Sequence, residues 1–120
     1  MSQKLVIKLT QGVEQPEALS QAFTVASTAL ASGIEVSFWL TGEASWLALP
    51  GKAEEFKLEH AASLTDLRDA IIAGGAMTLC TQCAARRNLS QADLIPGISI
   101  KGAASFVEEV TADHVQALIY

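Results

Sequence analysis

The apolar residues of this chain recur in two periodicities that alternate along the sequence and predict alternating β-strands and α-helices. The strand-like runs are short, aliphatic and bounded by turn-forming residues. We expect strands at Lys4–Leu9, Ile34–Leu40, Ala76–Leu79 and Ile98–Lys101. The last run, Val115–Tyr120, is compatible with a closing strand or with a final helical turn.

Helix-like stretches occupy the segments between these strands. The first helix begins at Pro16, where a missing N–H is tolerated, and its apolar stripe ends before Ser32-Gly33. The next begins behind Ser63, which forms a helix-start signature with Asp66, and it closes at Gly74-Gly75. Further helical segments are predicted at Gln82–Arg87, from Ser90, and at Ala103–Val110.

Two stretches have weaker patterns. Residues Ala44–Leu49 are short and apolar around Trp46, and the charges in Lys52–His60 predict an exposed loop. The chain shows no internal repeat or linker, and 120 residues suffice for one domain with its own core. We therefore expect a single α/β domain over residues 1–120.

Alternation of strands with helices favours layers packed around a mostly parallel sheet. Sites in such sheets collect at the carboxyl ends of the strands. Three predicted strands end at the same edge, in Thr10-Gln11-Gly12, Thr41-Gly42-Glu43 and Cys80. Gln11, Gly12, Gly42 and Glu43 are therefore candidate substrate-binding residues, and Thr10-Gln11-Gly12 can form a small anion nest.

The stretch from Ala76 to Leu89 carries the candidate chemistry. It predicts a buried strand that ends at Cys80, followed by a helix that Asn88 closes, because Asn tolerates the left-handed conformation. Cys80 then lies in front of a helix N-terminus, whose unpaired N–H groups favour a thiolate. Such surroundings lower a cysteine pKa and produce a sulfur nucleophile.

Composition narrows the possible environments and partners. A net charge of −5 argues against nucleic-acid or anionic-membrane binding. No apolar run has the length of a membrane span, and the first residues lack the apolar region of a signal peptide. We expect a cytoplasmic protein with reduced thiols, in which the two cysteines of a C-x-x-C pair indicate redox, sulfur or metal chemistry.

The cysteine segment L-C-x-x-C-A-A-R-R-N behind a Gly-Gly turn resembles the DsrE/DsrF-like family of sulfur-relay proteins. The L-T-G-E segment after the second strand and the closing A-D-x-V-x-x-L-I-Y are also similar. The resemblance implies a flavodoxin-like three-layer sandwich that assembles into trimers or hexamers. It also implies that Cys80 carries sulfur as a persulfide, exchanged with a donor or acceptor protein. No G-x-G-x-x-G or Walker sequence is present, so we expect no cofactor.

This chain departs from the family pattern at two positions. Asn88 stands where glycine usually follows the arginine, and Cys83 stands where the sulfur-carrying members often have alanine. The second thiol lies one helical turn after the first. It can resolve a sulfenate or persulfide on Cys80 into a disulfide, or it can simply pack beneath the helix.

For the other candidate residues, a functional role and a purely structural role are both compatible with the sequence. Arg86 and Arg87 can supply positive charge or contact a neighbouring subunit, but cations in a last helical turn also offset the helix dipole. Glu43 is either a site carboxylate or a solvated loop acid. His60 and His114 lack the spacing of a zinc site, so no metal is expected.

Three functions remain open from the sequence. The first is a sulfur carrier or sulfurtransferase that uses Cys80 with Cys83 as a resolving thiol. The second is a thiol–disulfide switch that uses the same pair without carrying sulfur. The third is an oligomeric binding module with inert cysteines. In all three cases we expect Trp39 and Trp46 in the core or at a subunit interface.

Overall fold

The structure, a computed structural model, describes residues 3–120. Within that range the chain forms one five-stranded parallel sheet with strand order β4-β3-β2-β1-β5. The strands are β1 (Lys4–Leu9), β2 (Glu35–Leu40), β3 (Ala76–Cys80), β4 (Ile98–Lys101) and β5 (Val115–Ile119). The helices are α1 (Pro16–Ala31), α2 (Lys52–Glu55), α3 (Leu64–Gly74), α4 (Thr81–Arg86) and α5 (Ala103–Val110), with 3₁₀ segments at Gly42–Ala48 and Gln91–Asp93.

One face of the sheet builds the hydrophobic core. Alternate residues of the central strands point to this face and pack against α1 and α3, because side chains alternate along a strand. The core is made of fully buried aliphatic and aromatic side chains, among them Ile7, Leu9, Phe23, Phe38, Leu40, Ile71 and Leu79. The rings of Phe23 and Phe38 lie 4.6 Å apart and join α1 to β2.

The opposite face of the sheet is more polar and is covered by α5. The Phe106 ring meets Trp39 edge-on at 5.3 Å between ring centres. The carboxylate of Glu109 accepts hydrogen bonds from Ser37 at 2.7 Å, from Trp39 at 2.8 Å and from Lys4 at 3.1 Å. This helix is therefore held by one aromatic contact and one multiply bonded carboxylate rather than by a buried apolar stripe.

Most of the predicted elements are confirmed, with boundaries that shift by a residue or two. The chain is an α/β sandwich with an all-parallel sheet, and Val115–Ile119 forms the closing strand rather than a helical turn. Ser63 accepts a hydrogen bond from the Asp66 N–H at 3.3 Å, as its capping signature predicts. None of the helices in residues 3–120 combines the length and apolarity that crossing a bilayer requires.

The prediction of an exposed loop at Lys52–His60 is wrong for its first half. Gly51, with φ of 90°, turns the chain into the short helix α2, where Ala53 is buried. The guanidinium of Arg68 on α3 binds both oxygens of Glu54, each at 3.1 Å. This long-range ion pair fixes α2, and a local reading of the charges could not reveal it.

Replacing Glu109 with Gln should destabilise the protein by about 1–2 kcal/mol, since three donors lose a charged acceptor. Burial raises the pKa of Glu109, but hydrogen bonds from Trp39, Ser37 and Lys4 lower it below 4.5. Its stabilisation is thus complete above the ordinary pKa and is lost as pH falls through the lowered folded-state value. Urea denaturation at neutral and acidic pH measures this difference.

The adjacent Glu108, which is exposed, provides the matched control. Glu108→Gln should leave the free energy of unfolding within about 0.5 kcal/mol of wild type. If the two variants lose equal stability, or if the loss in Glu109→Gln does not shrink in acid, the carboxylate does not anchor α5.

Candidate functional site

Strand β3 runs into helix α4 with no residue between them. Cys80 is both the last residue of the strand and the N-cap of the helix, with extended dihedral angles of φ −63° and ψ 131°. The helix ends as the sequence predicts: Asn88 has φ of 55°, and the Leu89 N–H bonds the Ala84 carbonyl at 2.9 Å. Both thiols are therefore held on a short, well-terminated helix.

The three strand ends named in the sequence analysis meet at one edge of the sheet. Leu9 pairs with Leu40, Leu40 pairs with Leu79, and Cys80 pairs with Lys101 of β4. The residues that follow these strands are consequently neighbours across the edge.

The Cys80 thiol is partly exposed, and its surroundings favour the thiolate. Burial raises its pKa, but the N–H and side chain of Cys83, the N–H of Gln82 and the charge of Lys8 together lower the pKa below its ordinary value. The Cys80 side chain forms no capping hydrogen bond with the helix. The polar hydrogens of Cys83 and Gln82 therefore act as nearby partial positive charges, and Lys8 acts as a full positive charge. Together these groups outweigh the opposing effect of burial on the pKa of Cys80.

The Cys83 sulfur is buried against the turn that follows β2. Cys83 is only 8% exposed, and its Sγ accepts a hydrogen bond from the Gly42 N–H at 3.2 Å. Both cysteines are free thiols. The two thiols therefore differ in their accessibility, because Cys80 is partly exposed to solvent and Cys83 is buried.

Gly42 can only be glycine in this arrangement. Its φ is +53°, and a Cβ atom built there would lie 2.7 Å from the carbonyl oxygen of Thr10. Gly12 is confined by space alone, since a Cβ atom there would lie 2.7 Å from the Glu43 carbonyl oxygen. Two of the predicted site glycines therefore let the ends of β1 and β2 approach each other.

Glu43 and Arg87 form an ion pair beside this turn. Arg87 donates to the Glu43 carboxylate at 2.8 Å and to the Cys83 carbonyl at 3.2 Å, and its guanidinium lies 5.8 Å from the centre of the Trp46 ring. The hydrogen bond from Arg87 holds the pKa of Glu43 below its ordinary value. The structure thus joins Gly42, Glu43, Arg87 and Cys83 in one connected group, on the helix whose N-cap is Cys80.

Three other predicted features lie outside that group. The side-chain amide of Gln11 donates only to Thr10, at 3.4 Å, and Arg86 is exposed on α4. The expected anion nest is occupied by the protein itself, because the Gly12 N–H donates to the Glu14 carboxylate at 2.8 Å.

Lys8 is a site residue that sequence reasoning missed. Its ammonium lowers the pKa of Cys80, and it lies 5.3 Å from the centre of the Phe106 ring. Lys4 and Lys8 alternate with buried residues along a central strand, which places a cation near the carboxyl end on the polar face. The alternation is visible in the sequence. The sequence does not show that β1 and β3 are separated by β2 alone, which brings Lys8 near Cys80.

The remaining candidates lie apart from the thiols. His60 and His114 are exposed, each with a positive φ, and residues 3–120 contain no cluster of His, Cys, Asp or Glu suited to a metal ion. Trp39 is buried, as expected for a core residue, whereas Trp46 is 37% exposed. Trp46 and Glu43 form one wall of a cleft of about 700 Å³ that neither cysteine lines.

A parallel α/β sandwich with a dithiol at the carboxyl edge of its sheet defines the class of this protein. The sequence profile of the DsrE/DsrF-like family matches residues 3–115, and the chain belongs to that family. At the level of the family, this membership supports a role in sulfur relay.

Solved structures agree on the fold. The chain is similar to the YchN protein of E. coli, with a TM-score of 0.76 and 19% identity over 98% of this chain and 100% of that one. It is also similar to MTH1491 of Methanobacterium thermoautotrophicum, a protein of unknown function, with a TM-score of 0.74 and 7% identity over 99% and 100% of the two chains. A search of curated proteins found no match.

Replacing Lys8 with Gln should raise the pKa of Cys80, since a nearby positive charge favours the thiolate. In a Cys83→Ala background, the pH profile of Cys80 alkylation by iodoacetamide should move to higher pH, and the rate at neutral pH should fall several-fold. Lys8→Arg should retain the wild-type profile.

Lys57→Gln, which removes an exposed cation from the cleft, is the control for overall charge. Equal shifts in Lys8→Gln and Lys57→Gln would mean that Lys8 has no specific effect on the thiol.

Proposed function

We propose that this protein accepts sulfane sulfur as a persulfide on Cys80 and passes it to an acceptor thiol. The proposal gives a specific chemistry to the sulfur-relay role that family membership supports. The observation that carries it is the placement of a partly exposed thiol at the β3–α4 junction, beside N–H groups and a lysine that stabilise its thiolate.

The loading step conserves charge and atoms. The Cys80 thiolate attacks the outer sulfur of a donor persulfide, R–S–SH, and a new S–S bond forms as the donor S–S bond breaks. Cys80 becomes Cys80–S–SH, and the donor leaves as the thiolate R–S⁻. Transfer onward repeats this exchange with an acceptor thiolate, so the relay needs neither an oxidant nor a cofactor.

Cys83 provides a second route for release. Its thiolate attacks the inner sulfur of Cys80–S–SH, which forms the Cys80–Cys83 disulfide and expels HS⁻. A dithiol reductant then restores both thiols and is itself oxidised to a disulfide. Support for this route comes from the influence of the Cys83 side chain on Cys80 and from the Gly42 N–H that faces its sulfur.

The same pair also supports a thiol–disulfide switch that never carries sulfur. The observation that favours this second candidate is the presence of both free thiols on one turn of helix, one partly exposed and one buried. The two candidates differ in their need for Cys83, since a carrier requires only Cys80.

Incubation with glutathione persulfide tests the carrier directly. Intact-protein mass spectrometry should show one added sulfur atom on the wild type and on Cys83→Ala, with longer retention on Cys83→Ala because the resolving thiol is absent. Cys80→Ser should acquire none. An equal adduct on Cys80→Ser, or no adduct on Cys83→Ala, contradicts the carrier. Disulfide formation in the wild type with no adduct on Cys83→Ala favours the switch.

We also propose that the protein forms homo-oligomers, as trimers or hexamers. Support comes from apolar side chains exposed on α5 and on the same face of the edge strand β5, namely Val107 at 54% and Ile119 at 61%. Helix α5 buries none of its residues in the isolated chain, and an identical copy would cover this face.

Light scattering at micromolar concentration should give a mass three or six times that of the chain. The double variant Val107→Lys/Ile119→Lys should reduce this mass towards that of the monomer. Val13→Lys changes a residue that is 63% exposed on the cleft side and should leave the assembly intact. A monomeric wild type, or dissociation by the Val13 variant alone, contradicts this surface.

A further inference from the structure

The Arg87 side chain bridges two elements that are distant in sequence. It extends from the C-terminal end of α4 to the 3₁₀ segment Gly42–Ala48, where it binds Glu43 at 2.8 Å and lies over Trp46. A second guanidinium nitrogen donates to the Cys83 carbonyl at 3.2 Å. One side chain therefore fixes the position of residue 43 relative to residue 83.

This position matters for the sulfur of Cys83. Gly42, the residue before Glu43, directs its N–H at Cys83 Sγ at 3.2 Å. The left-handed conformation of Gly42 and its close approach to Thr10 leave this peptide little alternative geometry. If the 3₁₀ segment moved away from α4, the hydrogen bond to the sulfur would lengthen or break.

The environment of Arg87 differs from that of a substrate-binding cation. Its side chain is only 16% exposed, and its guanidinium is occupied by a carboxylate, a carbonyl and an aromatic face. The adjacent Arg86, in contrast, is exposed to solvent. The contacts of Arg87 are all internal to the protein, which suits a structural support of the dithiol.

We propose that Arg87 and Glu43 are positioning residues that hold the Gly42 N–H against the Cys83 sulfur and so orient Cys83 towards Cys80. Their role concerns the second thiol and the closing of the disulfide, not the binding of an anionic substrate. The part of this proposal that concerns sulfur release rests on the proposed function. Closing of the Cys80–Cys83 disulfide can be measured without any persulfide.

The physical reason is that attack by a thiolate requires alignment with the S–S bond that breaks. A hydrogen bond from a fixed backbone N–H restricts the rotation of the Cys83 side chain and so fixes the direction from which its sulfur attacks. Loss of the Arg87–Glu43 pair should therefore slow attack by Cys83 while leaving Cys80, which faces Lys8 and the helix N–H groups, nearly unchanged.

Oxidised glutathione separates the two steps. First the Cys80 thiolate attacks GSSG, which gives Cys80–S–SG and one GS⁻. Then the Cys83 thiolate attacks the Cys80 sulfur, which forms the intramolecular disulfide and releases a second GS⁻. Rapid acid quenching followed by mass spectrometry measures the mixed disulfide and the closed disulfide as functions of time.

Arg87→Met and Glu43→Gln should each slow the closing step by about tenfold or more, since small displacements of a reacting group have effects of this size. The first step should change less than about twofold. Arg87→Lys keeps the charge but not the forked hydrogen bonding, and it should give an intermediate closing rate. Arg86→Met is the matched control and should behave as wild type at both steps.

A first step slowed as much as the second would overturn the proposal, because it would indicate that Arg87 acts as a charge on Cys80 or glutathione. Unchanged closing in Arg87→Met and Glu43→Gln would also overturn it, as would equal slowing in Arg86→Met. Circular dichroism verifies folding, and Arg87→Lys gives the decisive comparison if Arg87→Met does not fold. Failure of Cys80 to accept persulfide sulfur would remove the proposed function and leave this result intact.

Discussion

The site depends on the direct junction of a parallel strand with a helix. Because β3 ends at Cys80 and α4 begins at Thr81, the backbone that completes the sheet also presents the first N–H groups of the helix to the sulfur. No loop intervenes that could relax this geometry. The thiolate is therefore favoured by the fold itself, and the side chain of Lys8 adds a charge to a location that the backbone already makes electropositive.

The remaining features of the site surround the Cys83 thiol and the lysine that lowers the pKa of Cys80. The glycines at the ends of β1 and β2 allow those strands to approach closely enough for the Gly42 N–H to reach Cys83. On the polar face of the sheet, Phe106 of α5 packs near Lys8, and Glu109 anchors the same helix to β1 and β2. Lys8 therefore contacts α5 and also contributes to the lowered pKa of Cys80.

The sequence was sufficient for the features that depend on local periodicity and on chain direction. Alternation of strands and helices predicted the parallel sheet, and the strand ends identified the edge at which Cys80, Gly42 and Glu43 meet. It was insufficient for features that depend on tertiary pairs. The helix α2 is fixed by Arg68. The two adjacent arginines at the end of α4 differ in three dimensions, because Arg87 bridges to Glu43 and Arg86 is exposed.

The most direct test of this account is an NMR titration of the wild-type protein labelled at the cysteine Cβ atoms, which reports each thiol separately. The account predicts that Cys80 ionises below the pKa of a free cysteine, about 8.5. It also predicts that Cys80 loses its proton at lower pH in the wild type than in Lys8→Gln. A Cys80 thiol that stays protonated up to or beyond the value of free cysteine would contradict the central claim that the β3–α4 junction stabilises a thiolate.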